Sequence, residues 1–152
     1  MTAAYLNAEV RDQFNDIIAA WQTYTPTWTA ATTNPVLGNG SIVGRYKRIG
    51  KTVHLQIDLA MGSTTTYGSG AWSVTLPLVA AAASGSRIGT AQALGGTRFQ
   101  GQVVISSAAS GTSAFFPASA SVSNLSSVAS NVPFAWASGN ELRITVTYEA
   151  AT

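Results

Sequence analysis

The single histidine is the side chain best suited to acid–base chemistry, because an unperturbed imidazole changes its charge near neutral pH. His54 lies in the alternating segment 51–61, where a period of two places it on one face with Gln56 and Asp58. A carboxylate on that face could orient the ring, yet no G-x-S-x-G motif supplies a serine nucleophile. We therefore expect His54 to be a half-exposed strand residue rather than a catalytic one.

Carboxylates are too few and too scattered for the other common catalytic sites. Beyond residue 16 the only acidic residues are Asp58, Glu141 and Glu149, whereas glycoside hydrolysis needs a facing pair. One histidine, isolated acids and no cysteine cannot form a metal site within a single chain, although a threefold axis could gather copies of Asp58 or His54. The GNG and GSG stretches lack the strand-to-helix context of a phosphate loop. The sequence predicts a protein that is not an enzyme and uses no cofactor or metal.

Charge is sparse and unevenly distributed along the chain. Of the 152 residues 9% are charged, the net charge is +2, and residues 59–140 contain only Arg87 and Arg98 as charged side chains. This neutral stretch must show Ser, Thr and Gly to water or be buried against another subunit. The weak net charge argues against nucleic acid as a partner, and the apolar run at 79–83 is too short for membrane insertion.

The elements that must position any site begin with an amphipathic helix. Apolar residues recur at spacings of three and four, at Leu6, Val10, Phe14, Ile17, Ile18 and Trp21. Asn7 is a candidate N-cap of this helix and Thr2 is a second candidate. A helix of about 15 residues is marginal alone, so its apolar side packs either on its own domain or on copies of itself. In the second case the predicted oligomer interface consists of Leu6, Val10, Phe14, Ile17 and Trp21.

After Trp21 the pattern changes to strands separated by Gly, Asn and Pro turns. Period-two alternation and β-forming residues predict strands at 24–29, 41–49, 51–61, 72–76, 87–94, 99–106, 132–136 and 142–148. Residues 108–130 hold either short strands or a long loop. The sequence therefore predicts a mainly β chain, an antiparallel β-sandwich or jelly roll behind one short helix. We divide it into residues 1–21, for oligomerisation or attachment, and a β domain at 22–152.

A basic cluster surrounds the turn of the predicted hairpin at 41–61. Arg45, Lys47 and Lys51 share one parity, whereas Arg48 points to the other side. The cluster is either an ordinary solvated hairpin that guards a sheet edge or a contact to an anionic polymer or to acidic helix residues of a neighbour. Arg45, Lys47 and Lys51 are therefore candidate partner contacts.

Three aromatic residues are further candidate contacts. Tyr67 lies within the loop GSTTTYGSG, where its ring either packs on the domain or serves as a rigid anchor for a sugar or protein. Phe115 and Phe116 are adjacent, so their rings cannot share one face of a strand. One of them is expected to be exposed as part of an interaction patch.

Several strings, taken in order, resemble a known family. They are LNAEVRDQFNDI, WQTYTPTWTA, NPVLGNGSIVGRYKRIGKTVHLQIDL, GSTTTYGSGAWSVTLPL and VPFAWASGNELRITVTYEA. This order is similar to the distal domain of bacteriophage tail fibre and minor tail proteins, particularly those of phages with actinobacterial hosts. The resemblance covers nearly the whole chain and is most specific at residues 21–78 and 132–149.

The resemblance implies a structural protein on the virion surface that assembles as a homotrimer and binds a host receptor. Its implied partners are copies of itself, other virion proteins and a host glycan or protein. No N-terminal signal peptide is visible, so we expect synthesis in the host cytoplasm. The alternatives are a capsid decoration or head-fibre protein, a carbohydrate-binding module and a depolymerase.

Overall fold

One helix and ten strands make up the part of the chain that the computed structural model describes, which covers residues 3–83, 85–117 and 124–151. Helix α1 spans Ala3–Ile18. The strands are β1 (Gln22–Tyr24), β2 (Trp28–Ala30), β3 (Ser41–Ile49), β4 (Thr52–Ala60), β5 (Trp72–Thr75), β6 (Arg87–Gly95), β7 (Thr97–Ile105), β8 (Gly111–Pro117), β9 (Leu125–Ser127) and β10 (Glu141–Glu149).

The strands form one antiparallel sheet in the order β1-β3-β4-β10-β6-β7-β8-β5-β2, and β9 pairs with β8. The sheet curls over, because Trp28 of β2 and Trp72 of β5 line the same small internal cavity as Leu142 and Ile144 of β10. The predicted mainly β fold with one N-terminal helix is confirmed and is consistent with a β-sandwich. A jelly-roll arrangement is not confirmed.

The core is built from the inward side of the alternating strands and a row of aromatic rings. Val53, Leu55, Ile57 and Leu59 of β4 are all fully buried, while the residues between them face outward. Trp72 contacts the edge of Trp28, with ring centroids 4.7 Å apart, and lies 5.2 Å from Trp136. Its indole Nε1 donates to the Tyr67 carbonyl at 3.0 Å, which satisfies the polar end of the buried ring.

Two Ser/Thr/Gly-rich loops, residues 31–40 and 61–70, hold each other in place. Val36 and Thr66 exchange two backbone hydrogen bonds of 2.9 Å. The Asn39 carboxamide oxygen accepts from the backbone N–H of Thr64 at 2.9 Å and from its hydroxyl at 3.0 Å. These loops therefore satisfy much of their own hydrogen bonding, and the predicted loop at 62–70 is a rigid part of the body.

The helix begins earlier than the sequence predicts. It starts at Ala3, so Asn7 lies inside it and is not the N-cap; the other candidate, Thr2, lies outside the described residues. Alanine has the highest helix propensity, and the pair at positions 3 and 4 extends the helix past the residue that would otherwise cap it.

One predicted strand is divided into two edge strands, as its proline suggested, and another is wrong; both contain proline. The segment 24–29 splits at Pro26 into β1, which pairs with β3, and β2, which pairs with β5. The segment 132–136 is no strand; it includes a cis peptide bond between Val132 and Pro133. Proline cannot donate to a β-ladder, which explains both interruptions. Within residues 108–130 the structure contains β8 and β9, with residues 118–123 outside the described part.

Candidate functional site

The apolar side of α1 is uncovered in the single chain. We use the name helix stripe for the five residues Leu6, Val10, Phe14, Ile17 and Trp21; the last lies three residues beyond the end of α1, although the sequence pattern included it in the helix. Their exposed fractions are 52%, 44%, 62%, 52% and 37%, and Tyr5 and Ile18 beside them are exposed as well. The alternative in which the stripe packs on its own β domain is therefore wrong for this chain. A contiguous exposed apolar patch of this kind is typical of a protein–protein interface.

The junction between α1 and the sheet is held by the basic strand β3. Lys47 donates through Nζ to the carbonyl of Ile17 at 2.6 Å, so a cation lies at the carbonyl end of the helix, where the helix dipole favours it. The Arg45 guanidinium lies 5.9 Å from the centroid of the Trp21 ring, within range of a cation–π contact. Two of the predicted contact residues therefore attach the helix to the body.

A cleft of about 420 Å³ opens between the end of α1 and the β3–β4 hairpin. Asp16 lines it from the helix side, and Lys47, Arg48 and Lys51 line it from the hairpin side. Arg48 donates through Nε to the Gly50 carbonyl at 2.5 Å, which fixes its guanidinium at the turn. Parity does not describe this cleft, because Arg48, expected on the other side, lines it together with Lys47 and Lys51, whereas Arg45 does not; Lys51 lies in the turn, outside both strands. The cleft carries an excess of positive charge.

The aromatic candidates occupy three different environments. Tyr67 is half-buried and stacks on Trp72, with the two rings 23° apart in orientation and 6.5 Å apart between centroids. Phe115 is half-buried, opposite Gln102 of β7 and Ser127 of β9. Phe116 is completely buried. Phe116 therefore belongs to the core and cannot contribute to an exposed patch, because adjacent residues of a strand point to opposite faces.

The polar residues of β4 do not converge on a catalytic arrangement. The Nδ1 atom of His54 lies 3.0 Å from the hydroxyl of Thr147 on β10, and Asp58 faces the Arg143 Nε at 3.9 Å. His54 and Asp58 are four residues apart on an extended strand, about 13 Å. Among the residues that the structure describes, no group of three or more His, Cys, Asp or Glu side chains could hold a metal ion.

Arg143 is a feature that sequence reasoning missed. It also hydrogen-bonds to Glu141, two residues earlier on the same face of β10. In the sequence, Asp58 and Glu141 are isolated acids far apart along the chain. Their juxtaposition depends on the pairing of β10 with β4, and one sequence does not reveal which distant strands pair.

Burial affects two tyrosines near the hairpin. The Tyr24 hydroxyl donates to the Thr75 carbonyl at 3.0 Å, and the Tyr148 hydroxyl donates to the Leu78 carbonyl at 2.8 Å. Desolvation is the main cause that raises the pKa of Tyr24 above its usual value and the pKa of Tyr148 to about 12. Both phenols therefore act as neutral hydrogen-bond donors that tie strands to neighbouring backbone.

Comparison with known proteins connects the chain to phage tails. It is similar to the Mu-like prophage FluMu defective tail fiber protein of Haemophilus influenzae, with 27% identity over 129 residues. The aligned region is 83% of this chain and 20% of the relative, so the chain spans about a fifth of the length of that protein. No family model matches the sequence. No solved structure matches it either.

This similarity supports a relationship to phage tail fibre proteins in general and suggests a structural role in a phage tail. It does not support the narrower resemblance to a distal domain from phages of actinobacterial hosts. None of the helices described is long and apolar enough to cross a membrane.

Proposed function

We propose that this chain is a non-enzymatic module of a bacteriophage tail fibre that forms a homotrimer through α1 and contacts the host cell surface. The observation that carries the proposal is the uncovered helix stripe, in a chain that is similar to a tail fibre protein over 83% of its length. A tail fibre module of this kind lies on the virion surface, beside other virion proteins. Its two parts are an N-terminal segment of residues 1–21, which contains α1, and the β domain of residues 22–152.

Magnitudes indicate that the helix does not assemble alone. Full burial of one large apolar side chain contributes about 1.5–3 kcal/mol. The five residues of the stripe are already about half covered in the single chain, so their remaining burial contributes on the order of 5 kcal/mol per copy. Association costs about 4–15 kcal/mol in lost freedom of motion. The two terms nearly cancel, and a helix of 16 residues is also short for a coiled coil. The neutral surface of the β domain must therefore share the interface.

Charge supplies a second element of the interface and a candidate for host contact. The helix carries Glu9, Asp12 and Asp16, and the hairpin carries an excess of bases around its cleft. Arg11 already faces Asp12 at 3.2 Å within the same helix. Lys47 already holds the Ile17 carbonyl, so Lys51 is the base that can face the acidic side of a neighbouring helix or anionic groups of the cell envelope, and both interactions weaken with added salt.

The test of assembly is the mass in native buffer of the full chain and of a variant that lacks residues 1–20. We expect three times the 15.7 kDa of one chain for the former and a large shift towards single chains for the latter. Asn15→Ala, on the polar side of α1, is the matched control and should keep the mass of the full chain. A full chain that is monomeric at micromolar concentration contradicts the homotrimer, and that outcome is the one a carbohydrate-binding module predicts.

The location is tested by antibody labelling of virions that carry the protein. Label on the tail supports the proposal, and label on the capsid identifies a decoration or head-fibre protein instead. Incubation with purified host-envelope polysaccharide should leave its chain length unchanged. Shortening of that polymer would identify a depolymerase.

A further inference from the structure

The outer side of the sheet contains a groove that the fold does not fill. It consists of two adjoining depressions of about 560 Å³ and about 360 Å³. Arg143 and Thr145 of β10 line both of them, so they form one groove that crosses β3, β4, β10, β6 and β7. Ligand sites of this volume are common in proteins, and strands position their side chains more precisely than loops do.

Strand register aligns polar side chains across this groove. One row runs from Asp58 through Arg143 and Gln92 to Gln100, each opposite the next on neighbouring strands. At about 4.8 Å between strands, this row is about 14 Å long. A parallel row begins with Gln56 and Thr145. The groove therefore presents hydrogen-bonding groups at regular intervals along an extended path.

Most of these groups are not used by the fold. Within the described part of the chain, the side chains of Gln56, Gln100 and Thr145 have no hydrogen-bond partner. The carboxamide oxygen of Gln92 accepts from Arg98 at 2.9 Å, which leaves its nitrogen available as a donor. Groups that are oriented by strands and still unpaired are suited to bind a ligand.

The one cation at the centre of the groove is held in a fixed orientation. Arg143 donates to Glu141 through Nη2, and its Nε lies 3.9 Å from Asp58. Its second terminal nitrogen, Nη1, is not needed for either contact. Arg143 and Arg98, which contacts Gln92 at 2.9 Å, balance the charges of Asp58 and Glu141, so the groove carries no net charge and does not attract a charged ligand.

We infer that this groove binds a neutral, hydroxyl-rich saccharide chain, an inference that rests on the proposed host contact and names its ligand. Carboxamides, carboxylates and a guanidinium can each hold two neighbouring hydroxyl groups. Among the residues that line the two depressions none is aromatic, and Val43 is an exposed apolar residue at one border. A protein partner would require an apolar centre that this groove lacks.

A single groove of this type binds weakly, because it has no aromatic ring for a sugar to stack on. Copies in one assembly that engage the same polymer bind it with a much higher overall affinity. The groove therefore fits a repeating polysaccharide better than an isolated sugar.

The test is a titration of the full-length, ¹⁵N-labelled assembly with maltoheptaose and chitopentaose, with hexagalacturonate as the acidic comparator. The side-chain amide signals of Gln56, Gln92 and Gln100 report directly on the groove. We expect saturable shifts of these signals with at least one neutral probe and none with the acidic one. Gln56→Ala combined with Gln100→Ala should weaken binding by about tenfold, whereas Gln13→Ala on the helix should bind as the wild type does.

Three results would overturn the inference. They are the absence of shifts at millimolar neutral probe, tighter binding of the acidic probe, and equal affinity in the glutamine double variant and the Gln13→Ala control. Protection of these amides by a second copy in the free assembly would also overturn it. The mass and virion-labelling experiments are independent of this titration, so the tail location and the trimer can stand when the saccharide site fails.

Discussion

Helix α1 and strand β4 carry the same kind of sequence signal and reach opposite environments. Both place large apolar residues at regular intervals on one side. The inward residues of β4 are at most 1% exposed, whereas Leu6, Val10, Phe14 and Ile17 of α1 are 44–62% exposed. Periodicity therefore defines which side of an element is apolar, but a covering partner has to come from elsewhere in the chain or from another molecule.

This difference in exposure separates the free energy of unfolding of one chain from the free energy of association between chains. Burial of the β4 residues raises the free energy of unfolding of the single chain, because the covering strands belong to the same chain. Burial of the helix stripe contributes only on association. Folding of the body and assembly should therefore respond to different substitutions, and the following experiments address that separation.

The largest effect is expected in the core. Leu55→Ala removes a fully buried side chain from β4 and should lower the free energy of unfolding by about 2–5 kcal/mol. Leu6→Ala makes the same chemical change on the helix. Under dilution to single chains it should alter unfolding by no more than about 0.5 kcal/mol. Urea unfolding followed by tryptophan fluorescence measures both, and similar losses would remove the distinction between the two elements.

The converse effect is expected in assembly. Phe14→Ser replaces an aromatic ring that is 62% exposed in the single chain, so unfolding of the dilute chain should be nearly unchanged. Loss of the ring from the intersubunit contact should cost about 2–3 kcal/mol of association free energy per copy. Sedimentation over a concentration series measures it. Asn15→Ala, on the polar side of α1, should retain wild-type association, and an unaffected Phe14→Ser assembly would place the interface outside α1.

The elements were predictable where a local pattern decides them. The period of two in β3, β4 and β10 and the three–four spacing in α1 predict these elements to within a few residues. The order in which the strands pair was not predictable, because β10 lies between β4 and β6, far from both in sequence. The β-forming residues around Pro26 and Pro133 predicted continuous strands, but no strand continues through either proline.

The candidate sites were predictable only where they lie on one element. The helix stripe follows from spacing within a single segment, whereas the strand parity of the basic cluster fails at the turn, where Arg48 and Lys51 line the same cleft. Arg143, Gln92 and Gln100 come from three strands, and only register places them in one row. The environment of Tyr67 was not predictable for a different reason. Its loop consists of Ser, Thr and Gly and has no apolar pattern, whereas in the fold the Tyr67 ring packs on Trp72.

A third experiment compares two glycines, one whose Cβ position is covered by neighbouring atoms and one whose Cβ position is open. Gly68 and Gly50 both have positive φ, +58° and +59°. A Cβ at Gly68 would lie 2.1 Å from the Thr33 carbonyl oxygen, within the paired loops, whereas a Cβ at Gly50 would have no neighbour within 4 Å. Both substitutions place alanine at positive φ, and this strain alone should lower the free energy of unfolding by about 1 kcal/mol in Gly50→Ala. Gly68→Ala adds the close approach to Thr33 and should lower it by about 2 kcal/mol. Thermal unfolding measures the stability of both variants. Equal losses of stability would mean that the two loops move apart to accept the added Cβ at little energetic cost.

The smallest effect concerns the buried end of β10 and depends on pH. The pKa of Tyr148 is raised from 10.0 to about 12, so the fold favours the neutral phenol. Its contribution to stability is complete below the ordinary pKa of 10.0 and is lost as the pH rises through about 12. Tyr148→Phe should lower stability at pH 7 by about 1 kcal/mol, because the Leu78 carbonyl loses its donor.

The same variant should also flatten the alkaline decline of stability, because its side chain cannot ionise. Urea unfolding at pH 7, 9, 10 and 11 compares the slopes of variant and wild type, and the value at pH 7 serves as the internal reference for the lost hydrogen bond. Tyr24 keeps its own raised pKa in the variant, so some decline should remain. Identical slopes would show that the Tyr148 phenol has the same pKa in the folded and the unfolded chain, so that its burial does not favour the neutral form.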